Sequence, residues 1–167
     1  MTGQPDDDTP VLDESWLNDS SEYQLNFIHG LRNPMGLHLQ YRLEGDRVVT
    51  DYTAGDMHMG FPGYAHGGLI IAILDDAMGR CAALRRRWVV TGRCDTRFRA
   101  GATVGTSLRV EAWITRFTKR VVIAQGRVLL PDGSIVAEAD GTYLPINAAM
   151  QQQMVEAWPG FAAYLNG

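Results

Sequence analysis

Cysteine is scarce in this chain. Its 167 residues include two, Cys81 and Cys94, in a helix-like and a strand-like segment without metal-ligand or redox spacing. A disulfide-built scaffold is thereby excluded, and buried free thiols in a reducing compartment are expected. Positive charge is also short: 15 Lys and Arg against 19 Asp and Glu leave a net charge of -4, which gives no electrostatic basis for a nucleic-acid partner. No apolar run reaches the roughly 18 to 20 residues of a membrane span, because the longest candidate is interrupted at Asp75, Asp76 and Arg80. The first ten residues, MTGQPDDDTP, are acidic and carry neither a basic leader nor an apolar h-region. The expectation is a cytoplasmic protein that does not enter membranes. Missing too are a G-x-S-x-G nucleophile elbow, an H-E-x-x-H helix, a P-loop and a dinucleotide fingerprint. His29, His38, His58 and His66 fall in no metal-binding spacing, so neither a metal nor a cofactor is expected.

What remains is the composition of one globular domain, 46% hydrophobic and 20% charged. Residues 1–20, rich in Asp, Ser and Pro, read as a mobile segment. Trp16, Tyr23 and Phe27 hint at a leading helix. From Gly36 the period becomes two: Leu37, Leu39, Tyr41 and Leu43 alternate with polar residues, and "EGD" turns the chain into "RVVTDYT", a strand, tight turn and strand. After a Gly-rich loop at 62–68, residues to about Arg87 lack proline and are dominated by Leu, Ile, Ala and Met, which predicts one helix of about 20 residues. Strands are predicted at 88–99, 106–117, 120–130 and 135–145, the last two joined by "PDG". The tail spaces Met150, Met154, Ala157 and Trp158 at helical intervals up to Pro159, a short helix docked on the body. The order implies an α+β domain over 21–147, followed by a docking helix and tail over 148–167. A helix so apolar needs more cover than one sheet face, which points to a second subunit.

Chemistry concentrates in "FPGYAHGGLIIAILDDAMGR". Gly67 and Gly68 allow a ligand to approach the first free N–H groups of the helix, where the positive end of the dipole polarises a carbonyl oxygen. The glycines are equally consistent with a tight loop-to-helix junction, and His66 fits an orienting role better than proton transfer. The two aspartates differ by helical geometry. Asp76 has Arg80 four residues on and fits an i,i+4 ion pair on a polar edge. Asp75 shares its face with Ile71, Ala72, Met78 and Ala82, where a carboxylate is costly without partners and a function. Seven residues, roughly 10 Å along the axis, separate it from Gly68. One small reacting group cannot touch both ends of that span; if both act on one substrate, the simplest arrangement is a two-fold dimer in which the N-terminus of one helix faces Asp75 of the other.

"GFPGYAHGGLIIAILDDAMG", flanked by "RNPMGLHLQYR" and "FRAGATVGTSLRVEAWI", resembles the HGG-containing segment of the PaaI-like branch of hotdog-fold acyl-CoA thioesterases. The resemblance runs from about residue 27 to 145. It implies a hotdog fold, a curved antiparallel sheet wrapped round one long helix, paired edge to edge as a homodimer or dimer of dimers. It further implies hydrolysis of an acyl-CoA to a carboxylic acid and free CoA. The amide of Gly67, with that of Gly68, would polarise the thioester carbonyl, His66 would order the loop, and Asp75 would be general base or nucleophile. Thr91, sixteen residues beyond Asp75, would hold the water or the carboxylate; on residue type alone it is an ordinary β-branched strand residue. Gly60 departs from the pattern, since many relatives carry Asn or Gln six places before the HGG histidine; His58 and the chain near Asn33 are the candidate substitutes. Among the basic residues, Arg99, Lys119 and Arg120 are the candidates for the CoA phosphates. A non-catalytic acyl-CoA-binding hotdog protein is the alternative of a different class, with a hydratase or dehydratase third.

Overall fold

The structure, a computed structural model, describes residues 14–18 and 24–166. Six antiparallel strands form one sheet: β1 (Arg42–Glu44), β2 (Arg47–Thr53), β3 (Val89–Phe98), β4 (Ser107–Phe117), β5 (Val122–Leu129) and β6 (Ile135–Pro145), in the spatial order β1-β2-β4-β5-β6-β3. The helix α1 (Gly67–Ala83) lies across the sheet and contacts β2 through β6. This is the α+β arrangement expected of a hotdog domain. Hairpins join β1 to β2, β4 to β5 and β5 to β6. Gly45 opens the first of these with φ 63, the left-handed conformation a two-residue turn needs at its first position.

The inward rows explain the close fit between sheet and helix. On β5 Val122, Ala124, Gly126 and Val128 alternate inward, and a Cβ at Gly126 would stand 3.1 Å from Leu74 and 3.2 Å from Met78. The missing side chain is what lets the helix sit down. Ile70, Ile73, Leu74, Ala77, Met78 and Cys81 of α1 are all buried against the sheet, each large side chain contributing about 1.5 to 3 kcal/mol. Burial also pushes the Cys81 thiol up to about 12, which makes it an inert core residue. Cys94 is half-buried, and both cysteines are free. Gly79 is different. It stands in the helix interior, where glycine costs about 1 kcal/mol relative to alanine, yet a Cβ there would make only an ordinary contact, 3.7 Å from Tyr143 Cε1.

Three local expectations are corrected. No leading helix forms among the described residues: Trp16 ends a single 3-10 turn at Glu14–Trp16, residues 24–36 form turns, and Tyr23 and most of 1–20 lie outside the described residues. The alternating stretch from Leu37 buries Leu39 and Tyr41 as expected, but only Arg42–Glu44 is strand. Asn18 instead clamps the Tyr41 backbone, its side chain donating to the carbonyl at 2.7 Å and accepting from the amide at 2.8 Å. Finally, α1 stops four residues before Arg87. Arg86 takes φ 51, and the amides of Arg86 and Arg87 donate back to Ala83 and Ala82, a Schellman turn without its usual glycine. At the C-terminal end α2 (Ala148–Ala157) is capped by Asn147 and buries none of its residues. Beyond it α3 (Phe161–Asn166) brings Phe161 against Trp88, ring centroids 6.5 Å apart.

Candidate active site

His66 shapes the start of α1. It is the N-cap, in extended conformation (φ -63, ψ 129), and its Nδ1 accepts the Gly68 N–H at 2.9 Å, satisfying one of the orphan donors of the first turn. Of the two glycine amides proposed to face a substrate, that of Gly68 is therefore taken. The Gly67 N–H has no acceptor among the described residues, and it lies beside Phe98 of β3, which is 45% exposed.

Asp75 sits midway along the helix and receives two side chains from the sheet. Thr91 Oγ1 donates across both carboxylate oxygens, at 2.9 and 3.0 Å, and the Tyr143 hydroxyl lies 3.0 Å from Oδ1 and from the Asp75 carbonyl. Thr91 and Tyr143 are register partners on β3 and β6, so their side chains share one face of the sheet. The register shifts between Thr91 and Arg93, and bulges of this kind re-aim a side chain beside a site. Tyr143 needs further room: a Cβ at Gly141, two residues earlier on the same face, would stand 2.5 Å from its ring. Burial, followed by the neighbouring Asp75 carboxylate, pushes the Tyr143 phenol well above its ordinary value, so it stays a donor. Asp75 is thus not set among apolar groups alone, as its helical face implied. The sequence reading missed Tyr143; the signal was a polar-tipped aromatic ending the inward row Ala137, Ala139, Gly141.

Asp76 is corrected as well. It pairs with Arg80 at 3.7 Å, but in the interior and not on a polar edge. His29 Nδ1 lies 3.1 Å from its Oδ2, Tyr41 OH donates to the same oxygen at 2.8 Å, and the Arg80 guanidinium closes the ring onto His29. Burial alone would push the Asp76 carboxyl up; the His29 hydrogen bond and the Arg80 charge outweigh it and hold the group below the usual carboxylate range. This network ties the segment around His29 and Tyr41 to α1.

The other sequence candidates are scattered. Arg99 follows β3 near the helix N-terminus and pairs with Glu138, whereas Lys119 and Arg120 are exposed in the β4–β5 turn beside Arg87, past the helix C-terminus. A 17-residue helix, about 26 Å long, lies between the two groups, so within one chain they do not hold one phosphate cluster. A Cβ at Gly60 would stand 3.1 Å from His66 Cα and Cδ2, so the space a polar side chain would occupy is filled by His66. His58 is committed to Tyr52 and Gly55, and Asn33 to Leu25 and Met35. Among the described residues no group of three or more His, Cys, Asp or Glu is placed to hold a metal ion, and no helix is long and apolar enough to cross a membrane.

A cleft of about 230 Å³ opens at Asp75 and Thr91 and runs along α1 past Gly79 to Ala83, Trp88 and Phe161. This fold and site define a hotdog protein. Residues 62–137, from the Gly-rich loop to the start of β6, match the model of the thioesterase superfamily. The central segment is thus similar to that superfamily, and the solved structures below share the hotdog fold. Among solved structures, a thioesterase superfamily protein is 20% identical with TM-score 0.68 over 72% of this chain, and this chain spans only 60% of that protein's length. PaaI of Escherichia coli, from the phenylacetic acid degradation operon, is 17% identical with TM-score 0.62 over 66% of this chain and 81% of PaaI. A hypothetical thioesterase from Streptococcus pneumoniae, solved with coenzyme A, is 14% identical with TM-score 0.61 over 65% of this chain and 89% of the other. That protein was also solved with an aspartate, and separately a threonine sixteen positions later, changed to alanine. No curated protein matches this chain.

Proposed function

We propose that this protein hydrolyses an acyl-CoA thioester to a carboxylic acid and free CoA at a site shared by two copies of the chain. The observation that carries the reading is the pairing of a half-buried carboxylate, Asp75, with a sheet threonine and tyrosine that hold it, on the same helix whose Gly67 N–H has no acceptor among the described residues. Eight residues separate Gly67 from Asp75, about 12 Å along the axis, too far for one thioester. The edge strand β3, ten residues long, has no neighbour on its outer side among the described residues, and an unpaired edge of that length is suited to joining a second copy. In the pair, Gly67 of one protomer faces Asp75 of its partner.

Gly67 N–H then polarises the thioester carbonyl and stabilises the oxyanion that forms when the carbon is attacked. Asp75 Oδ1 receives both Thr91 and Tyr143, while Oδ2 shares only Thr91, so Oδ2 is the oxygen that acts. It either takes a proton from water as the water attacks, or attacks the carbonyl carbon itself, expelling CoA thiolate and leaving a mixed anhydride that water cleaves. The relatives solved with coenzyme A, and with the aspartate and threonine replaced, support this assignment of roles. Asp75→Asn is expected to abolish thiol release across short, medium, long and aryl acyl-CoAs while leaving their binding intact; turnover at the parent rate overturns the role of Asp75. A second reading, an acyl-CoA-binding protein without efficient catalysis, is favoured by one observation, the closure of His66 onto Gly60. Saturable binding with no CoA released from any member of that series would establish it.

A further inference from the structure

We infer that Gly141 is a positioning residue for the proposed reaction, acting through Tyr143: it seats the phenol ring so that one hydroxyl stands between two acceptors of Asp75, the carboxylate and the backbone carbonyl. This deepens the thioester reading above and rests on it. Gly141 is paired in regular register on both sides, to Cys94 of β3 and Ala124 of β5, and its φ is not positive. Neither a bulge nor a left-handed backbone therefore requires glycine, which weakens a strand interior by losing packing and entropy. The ring two residues on does require it. A Cβ at Gly141 would stand 2.5 Å from Tyr143 Cε2, 2.8 Å from the hydroxyl oxygen and 2.9 Å from Cζ. The ring lies back along β6 over Gly141, with its other edge, Cε1, turned to Gly79 of α1. Any side chain at position 141 displaces the ring, and the hydroxyl with it.

The place of that hydroxyl matters because Asp75 changes charge in the reaction. Tyr143 is 1% exposed, so its single proton has to be given to a protein acceptor. At 3.0 Å from both Asp75 Oδ1 and the Asp75 carbonyl oxygen, it reaches either by rotation about the phenolic C–O bond alone. While Asp75 is ionised the carboxylate takes it, since a charged acceptor makes a bond roughly twice as strong. Once Asp75 has accepted a proton from water, or carries the acyl group, the charge is gone and the helix carbonyl accepts instead. The carboxylate is held before the step, and no buried donor is stranded after it.

A double-mutant cycle tests this, followed by thiol release from the fastest-cleaved acyl-CoA of the series above and by thermal melting. Gly141→Ala should lower kcat at least about tenfold with KM unchanged, and should lower the melting temperature. Tyr143→Leu lacks the atoms that a Cβ at 141 would meet and should lose kcat to the same degree. Adding Gly141→Ala to Tyr143→Leu should then cost neither further rate nor further melting temperature, and should restore folding if Gly141→Ala alone does not fold. Parental kcat in a folded Gly141→Ala chain, losses that multiply in the double variant, or a double variant that unfolds where Tyr143→Leu folds each overturn the inference. The second acceptor is read in an Asp75→Ala chain, where only the carbonyl is left. Tyr143→Phe should still lower its melting temperature by about 2 to 4 °C; no change there overturns the two-acceptor seat. A parent that releases no thiol defeats the hydrolytic reading, and the seat is then judged by melting alone, where additive losses for Gly141→Ala and Tyr143→Leu refute it.

Discussion

Gly67→Pro isolates the proposed oxyanion donor with little other disturbance. Gly67 is the first residue of α1 and its N–H meets no acceptor among the described residues. Proline is favoured at that position because its ring removes only a donor the helix does not use. The residue before it must be extended, and His66 already has φ -63 and ψ 129. A Cβ at position 67 would lie 3.4 Å from Phe98 Cζ, an ordinary contact. Stability should hold or rise by about 0.4 to 1 kcal/mol through the stiffer unfolded chain. Losing one preorganised oxyanion donor costs about 2.7 to 4 kcal/mol of transition-state binding, so kcat should fall about 100- to 1,000-fold with KM nearly unchanged. A thermal melt and a thiol-release assay on one preparation give both quantities. If the folded variant keeps kcat within about threefold of the parent, the Gly67 amide is not the polarising group. Two-fold sharing adds a second readout. When Gly67→Pro and Asp75→Asn chains are unfolded together and refolded, half the dimers are mixed and each mixed dimer has one intact site, so about a quarter of the parent activity should return. Recovery of none would place both groups of a site in one chain.

Two further substitutions probe the carboxylates from either side. Tyr143→Phe and Thr91→Val each remove a donor to Asp75; a hydrogen bond to a charged group is worth about 1.5 to 3 kcal/mol, so each should lower kcat at least about tenfold at constant KM, with Thr91→Ser restoring the rate, and equal rates for parent and Tyr143→Phe would dismiss Tyr143 as a positioning residue. Asp76→Asn removes the carboxylate that Arg80, His29 and Tyr41 share, and breaking such a buried pair should cost about 3 to 5 kcal/mol at pH 7. Because the Asp76 carboxyl is held low in the folded chain, its stabilisation is fully present above the unfolded value near 3.9 and is lost as pH falls through the lower folded value. Parent and variant melting temperatures should accordingly converge below about pH 4, and a constant gap down to pH 2 would show that the network does not act through ionised Asp76.

The strands after α1 were legible because their signals are local: period-two alternation and a Pro-Asp-Gly turn marked β3 to β6 to within two residues of each boundary. The end of α1 was not, since Arg85, Arg86 and Arg87 are sound helix formers; the docking of Arg85 and Arg87 on Phe117, of Arg86 on Trp16 and of Arg87 on the Thr118 carbonyl offsets the left-handed backbone at Arg86. The segment before β1 failed for the opposite reason. Its apolar spacing mimics a helix, but Asn26 and Asn33 accept from backbone amides two or three residues on, an interaction that competes with helix formation. The site was half legible. Spacing along one helix singled out Asp75, but Tyr143 approaches it across 68 residues of chain, and no local period encodes such a contact.

The two adjacent aspartates show how one helix serves two ends. Neighbours on a helix point about 100° apart, so consecutive carboxylates face different partners. Asp76 turns to the segment before β1 and is neutralised there by Arg80, His29 and Tyr41. Asp75 turns to β3 and β6, where it meets neutral donors only. A carboxylate with a cationic partner is a poor base and a poor nucleophile, because the pairing that stabilises its charge must be given up in the reaction. Hydroxyl donors orient a carboxylate and leave it a net negative charge to spend. The chain thus keeps its strong counter-charge one residue away from the group proposed to react, and the ion pair at Asp76 fixes the helix while Asp75 is left to the edge that the proposed dimer would share.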